Sequence, residues 1–181
     1  MALHHIRLKL DEAQAYVRRY HRHSDPLKRH KFSIGAMPYP LDIHMRVGAK
    51  MGIPVAYGSG APFLYGVLTV DTPSSHEWSR YRDYAEIRRI VTTTDTPNVS
   101  SFLIGKAKQA CLAMGYRRLI TYTRINEPGT SLRASGFDIF SMKGTLLTWD
   151  CFLGEKPKTT HRKFTDDTLR RLRPIVEMRA E

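Results

Sequence analysis

One stretch restricts the fold of this chain more than any other. Residues 85 to 123 read AEIRRIVTTTDTPNVSSFLIGKAKQACLAMGYRRLITYT. The first nine are β-branched and apolar enough for a strand. A run of Thr, Asp, Pro, Asn and Ser breaks that strand. SSFLIGKAKQACLAMG then places Phe102, Leu103, Ala107, Ala110, Cys111 and Met114 at helical spacing, and Gly115 is a C-terminal stop. RRLITYT follows as a second strand. Two strands joined through a helix of this length pair in parallel, because a tight turn joins only antiparallel ones. Their crossover is expected to be right-handed.

The rest of the chain supplies further strands. HIRLKL reads as a strand, DEAQAYVRRYH as a short helix capped by Asp11, and HRHSDPLKRH as a polar loop. KFSIGAM is a second strand. Residues 38–62, with MPYPLD, MGIP and GSGAP, form an irregular insertion. FLYGVLTV is a third strand, GTSLRASGF a short helix ending at Gly136, and GTLLTWDCFL a late strand. From Gly154 the chain turns polar and basic, with a possible helix at DDTLRRLRPIVEM. There is no internal repeat and no low-complexity tract. A chain of 181 residues suits one domain. The expectation is an α/β (α+β) fold: a mixed, twisted central sheet flanked by helices, over residues 1–153, with a basic extension at 154–181.

Charge narrows the partners. The net charge is +12 and the pI about 10.0. Such a surface attracts nucleic acid, acidic lipid or phosphate-bearing cofactors. Residues 1–32 carry Arg7, Lys9, Arg18, Arg19, Arg22, Lys28, Arg29 and Lys31 against Asp11, Glu12 and Asp25. Tyr16, Tyr20 and Phe32 are interleaved, and the tail adds KPKTTHRKF and RRLRP. That mixture suits a phosphate backbone with occasional base stacking, or a plain solvated face. HEWSRYRDY adds Trp78, Arg80, Tyr81, Arg82 and Tyr84, a set able to hold a flipped base, or in the case of Trp78 to edge the core. Cys111 and Cys151 form no CxxC pair, which argues against a disulfide framework or a cysteine zinc site. The start MALHHIRLKLDE has no apolar leader core, and no apolar run reaches the length of a membrane span. A cytoplasmic protein without membrane contact is expected.

The polar break after the fourth strand is the first candidate site. A helix start carries unpaired N–H groups and the positive end of the helix dipole, and so binds phosphate. Asn98, Ser100 and Ser101 would serve there as ordinary caps or as donors to an anion, and Pro97 fixes the entry. The P-loop and the G-x-G-x-x-G fingerprint are both missing. HRHSD is the second constellation. His21 and His23 flank Arg22 and precede Asp25, with His30, His44 and His76 elsewhere. Histidine there can act as base or ligate metal. The spacing matches no strong zinc pattern, so a basic loop touching a polyanion is preferred and no metal is expected.

EIRRIVTT, DTPNVSS, FLIGKAKQACLAMGYRR, LITYT, SLRASGF and TLLTWDCF stand in this order and spacing between Ala85 and Phe152. The run resembles the acyl-CoA-binding core of the GNAT superfamily of N-acyltransferases. The resemblance implies acetyl-CoA or another acyl-CoA as cofactor. It implies that the backbone of Ile90, Val91 and Thr92 grips the acyl and pantetheine part. Asn98, Val99, Ser100 and Ser101 would then hold the pyrophosphate. The family pattern R/Q-x-x-G-x-G/A has glycines where this chain has Asn98 and Ser100. Leu132 stands where a general-acid tyrosine is frequent. By the same resemblance Glu86 lies on the strand lining the acceptor site and is a candidate base, or else pairs with Arg88. Tyr122 is a candidate proton donor or a core residue, and Ser131 a donor to the thiolate or a helix cap. His23 is a further candidate base. His21, Arg22, Arg88 and Trp78 are candidate acceptor contacts. The motifs HRH, N-x-S-S and EPGTSLRASGF also resemble an atypical phage and mobile-element branch that includes the Mom-like DNA-modification proteins. The expected acceptor is therefore a nucleobase or another amine on nucleic acid, with DNA as partner. The alternatives are a small amine or protein amine as acceptor, or a non-catalytic nucleic-acid-binding module.

Overall fold

A computed structural model describes residues 2–20, 28–38, 64–93 and 96–154. The insertion, but for Pro38, and the basic extension, but for Gly154, lie outside these residues. So do His21, Arg22 and His23. The strands are β1 (His4–Leu8), β2 (Phe32–Met37), β3 (Gly66–Asp71), β4 (Tyr84–Thr92), β5 (Arg118–Arg124), β6 (Asp138–Lys143) and β7 (Leu146–Phe152). They hydrogen-bond in the order β1-β2-β3-β4-β5-β7-β6. The helices are α1 (Leu10–Tyr20), α2 (His76–Ser79), α3 (Val99–Ala113) and α4 (Thr130–Ala134). As expected, β4 and β5 are parallel and α3 lies between them in sequence, so the sheet is mixed.

The residues group into two compact units, Met1–Thr72 with Ile87–Ala107, and Pro73–Glu86 with Lys108–Glu181. In the first, β1, β2 and β3 form an antiparallel meander. α1 buries Ala13, Tyr16 and Val17 in a cluster with Leu8, Met37, Leu64, Val67 and Val91. Full burial of each large apolar side chain contributes roughly 1.5–3 kcal/mol. The Tyr16 hydroxyl donates to the Leu64 carbonyl at 3.1 Å. Burial pushes its pKa up to about 12, against a smaller lowering by Thr93. Asp11 is not the cap of α1. The helix starts at Leu10, and Glu12 Oε2 accepts the Lys9 N–H at 2.6 Å, the carboxylate half of a capping box.

In the second unit β7 pairs antiparallel with both β5 and β6. Its sheet has two distinct faces. On one, Trp78, Ile120 and Phe140 are buried with Tyr84 and Tyr122 against them. On the other, Trp149 is fully buried and its Nε1 donates to Thr123 Oγ1 at 2.8 Å. α3 stops at Gly115 as expected, with Tyr116 N donating to the Cys111 carbonyl. Its buried side chains are Val99, Leu103, Ile104, Ala107 and Cys111, whereas Met114 is 53% exposed. Two elements were not expected, α2 and β6.

Candidate functional site

The junction of β4 and α3 is held by backbone and by close packing. Thr93 donates to the Tyr65 carbonyl through its N–H (2.9 Å) and its hydroxyl (3.2 Å), which ties the end of β4 to the start of β3. Gly66 permits a tight approach. A Cβ there would stand 2.9 Å from both Thr92 Cγ2 and Val99 Cγ1 and 3.0 Å from the Val91 carbonyl. The chain then turns into the helix through Asn98, whose φ is 64°. That left-handed conformation costs most residues about 1–2 kcal/mol, and asparagine tolerates it better than any other except glycine. Asn98 therefore takes the backbone shape for which a glycine would be the usual choice. Its carbonyl accepts Phe102 N–H at 2.9 Å and starts α3. Asn98 is exposed, Ser100 and Ser101 are half-buried, and Val99 is buried and anchors the turn. The N–H groups of a first turn have no intrahelical acceptor, and here the side chains before and after Val99 are short and polar. This chemistry suits a diphosphate. On β4, Val91 is buried, and Ile90 and Thr92 are half-buried.

β4 carries a second polar feature near its start. Glu86 is only 4% exposed. Its Oε2 accepts two hydrogen bonds from one residue, the Ser74 N–H at 2.7 Å and the Ser74 hydroxyl at 2.9 Å. Ser74 precedes α2, whose cap is the neighbouring Ser75, with an extended backbone and a hydroxyl that accepts Trp78 N–H. Sequence reasoning missed Ser74: SS before a short helix signals a cap, and nothing in the spacing links it to a carboxylate twelve residues later.

The register places Glu86 beside Ile120 and Ile120 beside Asp150. Side chains two apart on a strand share a face, so Glu86, Ile120 and Tyr122 lie on one face. Trp78 covers that face, 6% exposed and edge-on to Phe140 at 4.9 Å. Of the aromatics offered for stacking on a base, Tyr81 is the exposed one (43%), and it stacks on the half-buried Tyr84 at 4.6 Å. Ser131 lies on α4, and the residue before that helix, Gly129, abuts the Trp149 indole of the opposite face. The cap position of α4 is Gly129, so capping does not fall to Ser131. Arg88 is half-buried on β4, and its carbonyl accepts from Arg89 Nη1.

The same face holds a buried ion pair that the sequence reading did not find. Arg118 donates to Asp150 Oδ2 through Nη2 at 2.6 Å and Nε at 2.9 Å. Its guanidinium carbon lies 4.8 Å from the Phe152 ring centre, 4.9 Å from those of Trp78 and Phe140, and 5.3 Å from that of Tyr84. The aromatic cage and the carboxylate together compensate a charge taken out of water. Among the described residues no group of three or more His, Cys, Asp or Glu is placed to hold a metal ion. No helix among them is long and apolar enough to cross a membrane.

Comparison with solved structures gives the fold its name. An IAA acetyltransferase from Bacillus cereus aligns over 84% of this chain and 100% of its own, with a TM-score of 0.55 and 11% identity. The ribosomal-protein-S18-alanine N-acetyltransferase from Escherichia coli aligns over 88% and 99%, at 0.55 and 9%. A GNAT superfamily phosphinothricin acetyltransferase from Sinorhizobium meliloti, solved with AcCoA, aligns over 88% and 93%, at 0.53 and 15%. The fold is the GNAT fold. No protein-family model matches the chain, and no curated protein does. At these identities the likeness carries the architecture and does not reach the Mom-like branch or a DNA acceptor.

Proposed function

We propose that the protein is an acyl-CoA-dependent N-acyltransferase, with acetyl-CoA as the first donor to test. The observation that carries this reading is the left-handed Asn98 opening α3 directly after β4, in a chain with this fold. The N–H groups of Val99, Ser100 and Ser101 and the two serine hydroxyls would hold the diphosphate. Ile90, Val91 and Thr92 would line the acyl and pantetheine part. When bound, the cofactor supplies an activated acyl thioester.

The chain's own residues would do the rest. Glu86 takes the proton from the acceptor amine. Tyr122 shares its face, and Ser131 on α4 is proposed as the donor to the departing thiolate. Arg88, with His21 and Arg22, remains a proposed acceptor contact and His23 a further proposed base, whereas Trp78 is buried against Phe140 and Arg118 and serves the core. For the acceptor, the net charge of +12 favours an amine carried on a polyanion, with DNA as the first partner to test.

Acetyl-CoA at a hundredfold excess over its Kd should stabilise the fold by about 2.7 kcal/mol, a shift of several degrees in Tm. Asn98→Asp and Ser100→Asp place negative charge where phosphate would sit and should abolish that shift without lowering the ligand-free Tm appreciably. A shift unchanged in both variants rejects the phosphate assignment. Transfer to amine-bearing oligonucleotides that falls steeply with added salt supports the polyanionic acceptor, and equal transfer to small amines at all salt concentrations rejects it.

A further inference from the structure

We propose that Ser74 is a catalytic residue that relays the acceptor's proton to Glu86. The inference rests on the transferase reading with Glu86 as base. Burial of Glu86 at 4% exposure keeps a bulky acceptor from colliding with its carboxylate directly. Ser74, in contrast, is exposed, and its hydroxyl touches Glu86 Oε2 at 2.9 Å. A hydroxyl has one proton and two lone pairs. With the proton committed to Glu86, the lone pairs remain for an N–H arriving from solvent. The Ser74 N–H holds the same carboxylate oxygen at 2.7 Å and cannot transfer, so it keeps Oε2 in place while the hydroxyl proton moves. The turn itself is restrained from both sides. Pro73 is buried, and Ser75 caps the helix that carries the buried Trp78.

The proton count closes. One ammonium N–H bond breaks as an O–H bond forms on Ser74 Oγ. The original hydroxyl proton passes to Glu86 Oε2. The products are a neutral amine with its lone pair free, an unchanged serine and a protonated Glu86. No oxidant, reductant or further reactant takes part.

The test is thiol release from acetyl-CoA with a panel of amines: spermidine, a free amino acid, an N-terminal peptide amine and an oligonucleotide carrying an alkylamine. Wild type is compared with Ser74→Ala, Ser74→Gly, Ser74→Thr and Glu86→Gln, each first checked for a wild-type acetyl-CoA thermal shift. Ser74→Ala and Ser74→Gly should lower kcat by about a hundredfold or more, with KM for acetyl-CoA within about twofold. Ser74→Thr, which keeps the hydroxyl, should recover most of the rate. The wild-type rate plotted against deuterium fraction should bow, because two protons are in flight. Wild-type activity in Ser74→Ala with a crippled Glu86→Gln overturns the relay and leaves the base standing. Wild-type activity in Glu86→Gln overturns both, as does the absence of thiol release from wild type with every amine. A straight deuterium plot, or a Ser74→Thr as slow as Ser74→Ala, overturns the relay.

Discussion

At the residue scale, the buried charge of Arg118 is the clearest case of a side chain whose role depends on its neighbours. Its side chain is 11% exposed and that of Asp150 7%. Removing one partner of such a pair leaves the other charge uncompensated, at a cost of about 3–5 kcal/mol. Arg118→Met should therefore lower the unfolding free energy extrapolated from urea by that amount, seen as a lower midpoint with an unchanged m-value. Replacing both partners by apolar residues of similar volume should recover much of the loss. A single variant as stable as wild type would show that the pair and its four rings contribute nothing net. In the sequence, RRLITYT gives no sign that its second arginine points inward. The pairing depends on Asp150, thirty-two residues later, and on rings from β4, β6, β7 and α2. Asn98 is different. The sequence marked it as a cap or donor where a glycine is usual, and its positive φ appeared only in the structure.

At the element scale, α4 shows how a short helix can be placed by one absent side chain. Gly129 has φ 60°, and a Cβ there would lie 2.5 Å from Trp149 Cζ2 and 2.7 Å from Cη2. Gly129→Ala adds a methyl against a fully buried indole and a strained backbone, together about 2–4 kcal/mol. Thermal unfolding should show the loss, and the near-UV circular dichroism of Trp149 should change with it. An unchanged Tm would mean that α4 moves away freely. Elements with strong periodicity were readable, namely β4, α3 and β5, because a helix of fifteen residues between two β-branched runs leaves few alternatives. β6 was missed because DIFSMK has weak strand chemistry and forms only by pairing with β7. The Gly144–Thr145 pair between them was the available hairpin signal. Met114 fits the helical repeat yet is exposed, because α3 ends at Ala113 and the turn carries Met114 away from the buried stripe.

At the scale of the whole molecule, three titratable groups, the half-buried His30 and the buried Tyr16 and Cys111, shape stability against pH. Burial lowers the pKa of His30, whose Nδ1 is 2.6 Å from Ser33 Oγ. Asp71 opposes that shift and Arg7 adds to it. A depressed imidazole means that the unfolded chain takes up a proton first. Its contribution is present above the ordinary value of 6.5 and is lost as pH falls below it. Tyr16 and Cys111 have the opposite sign, both pushed up to about 12 by burial from 10.0 and 9.0. Their contributions are complete below those ordinary values and are lost as pH rises toward 12. Tm should therefore fall on both sides of neutrality. Tyr16→Phe should flatten the alkaline arm, and an arm unchanged in Tyr16→Phe and Cys111→Ala would exclude both groups. The parallel pairing of β4 and β5 around α3 followed from the sequence alone, because it is written in contiguous residues. The tertiary structure decided that Ser74 holds Glu86 and that Asp150 holds Arg118. Those arrangements join residues distant along the chain, and only strand register and the packing of side chains on each face bring them together.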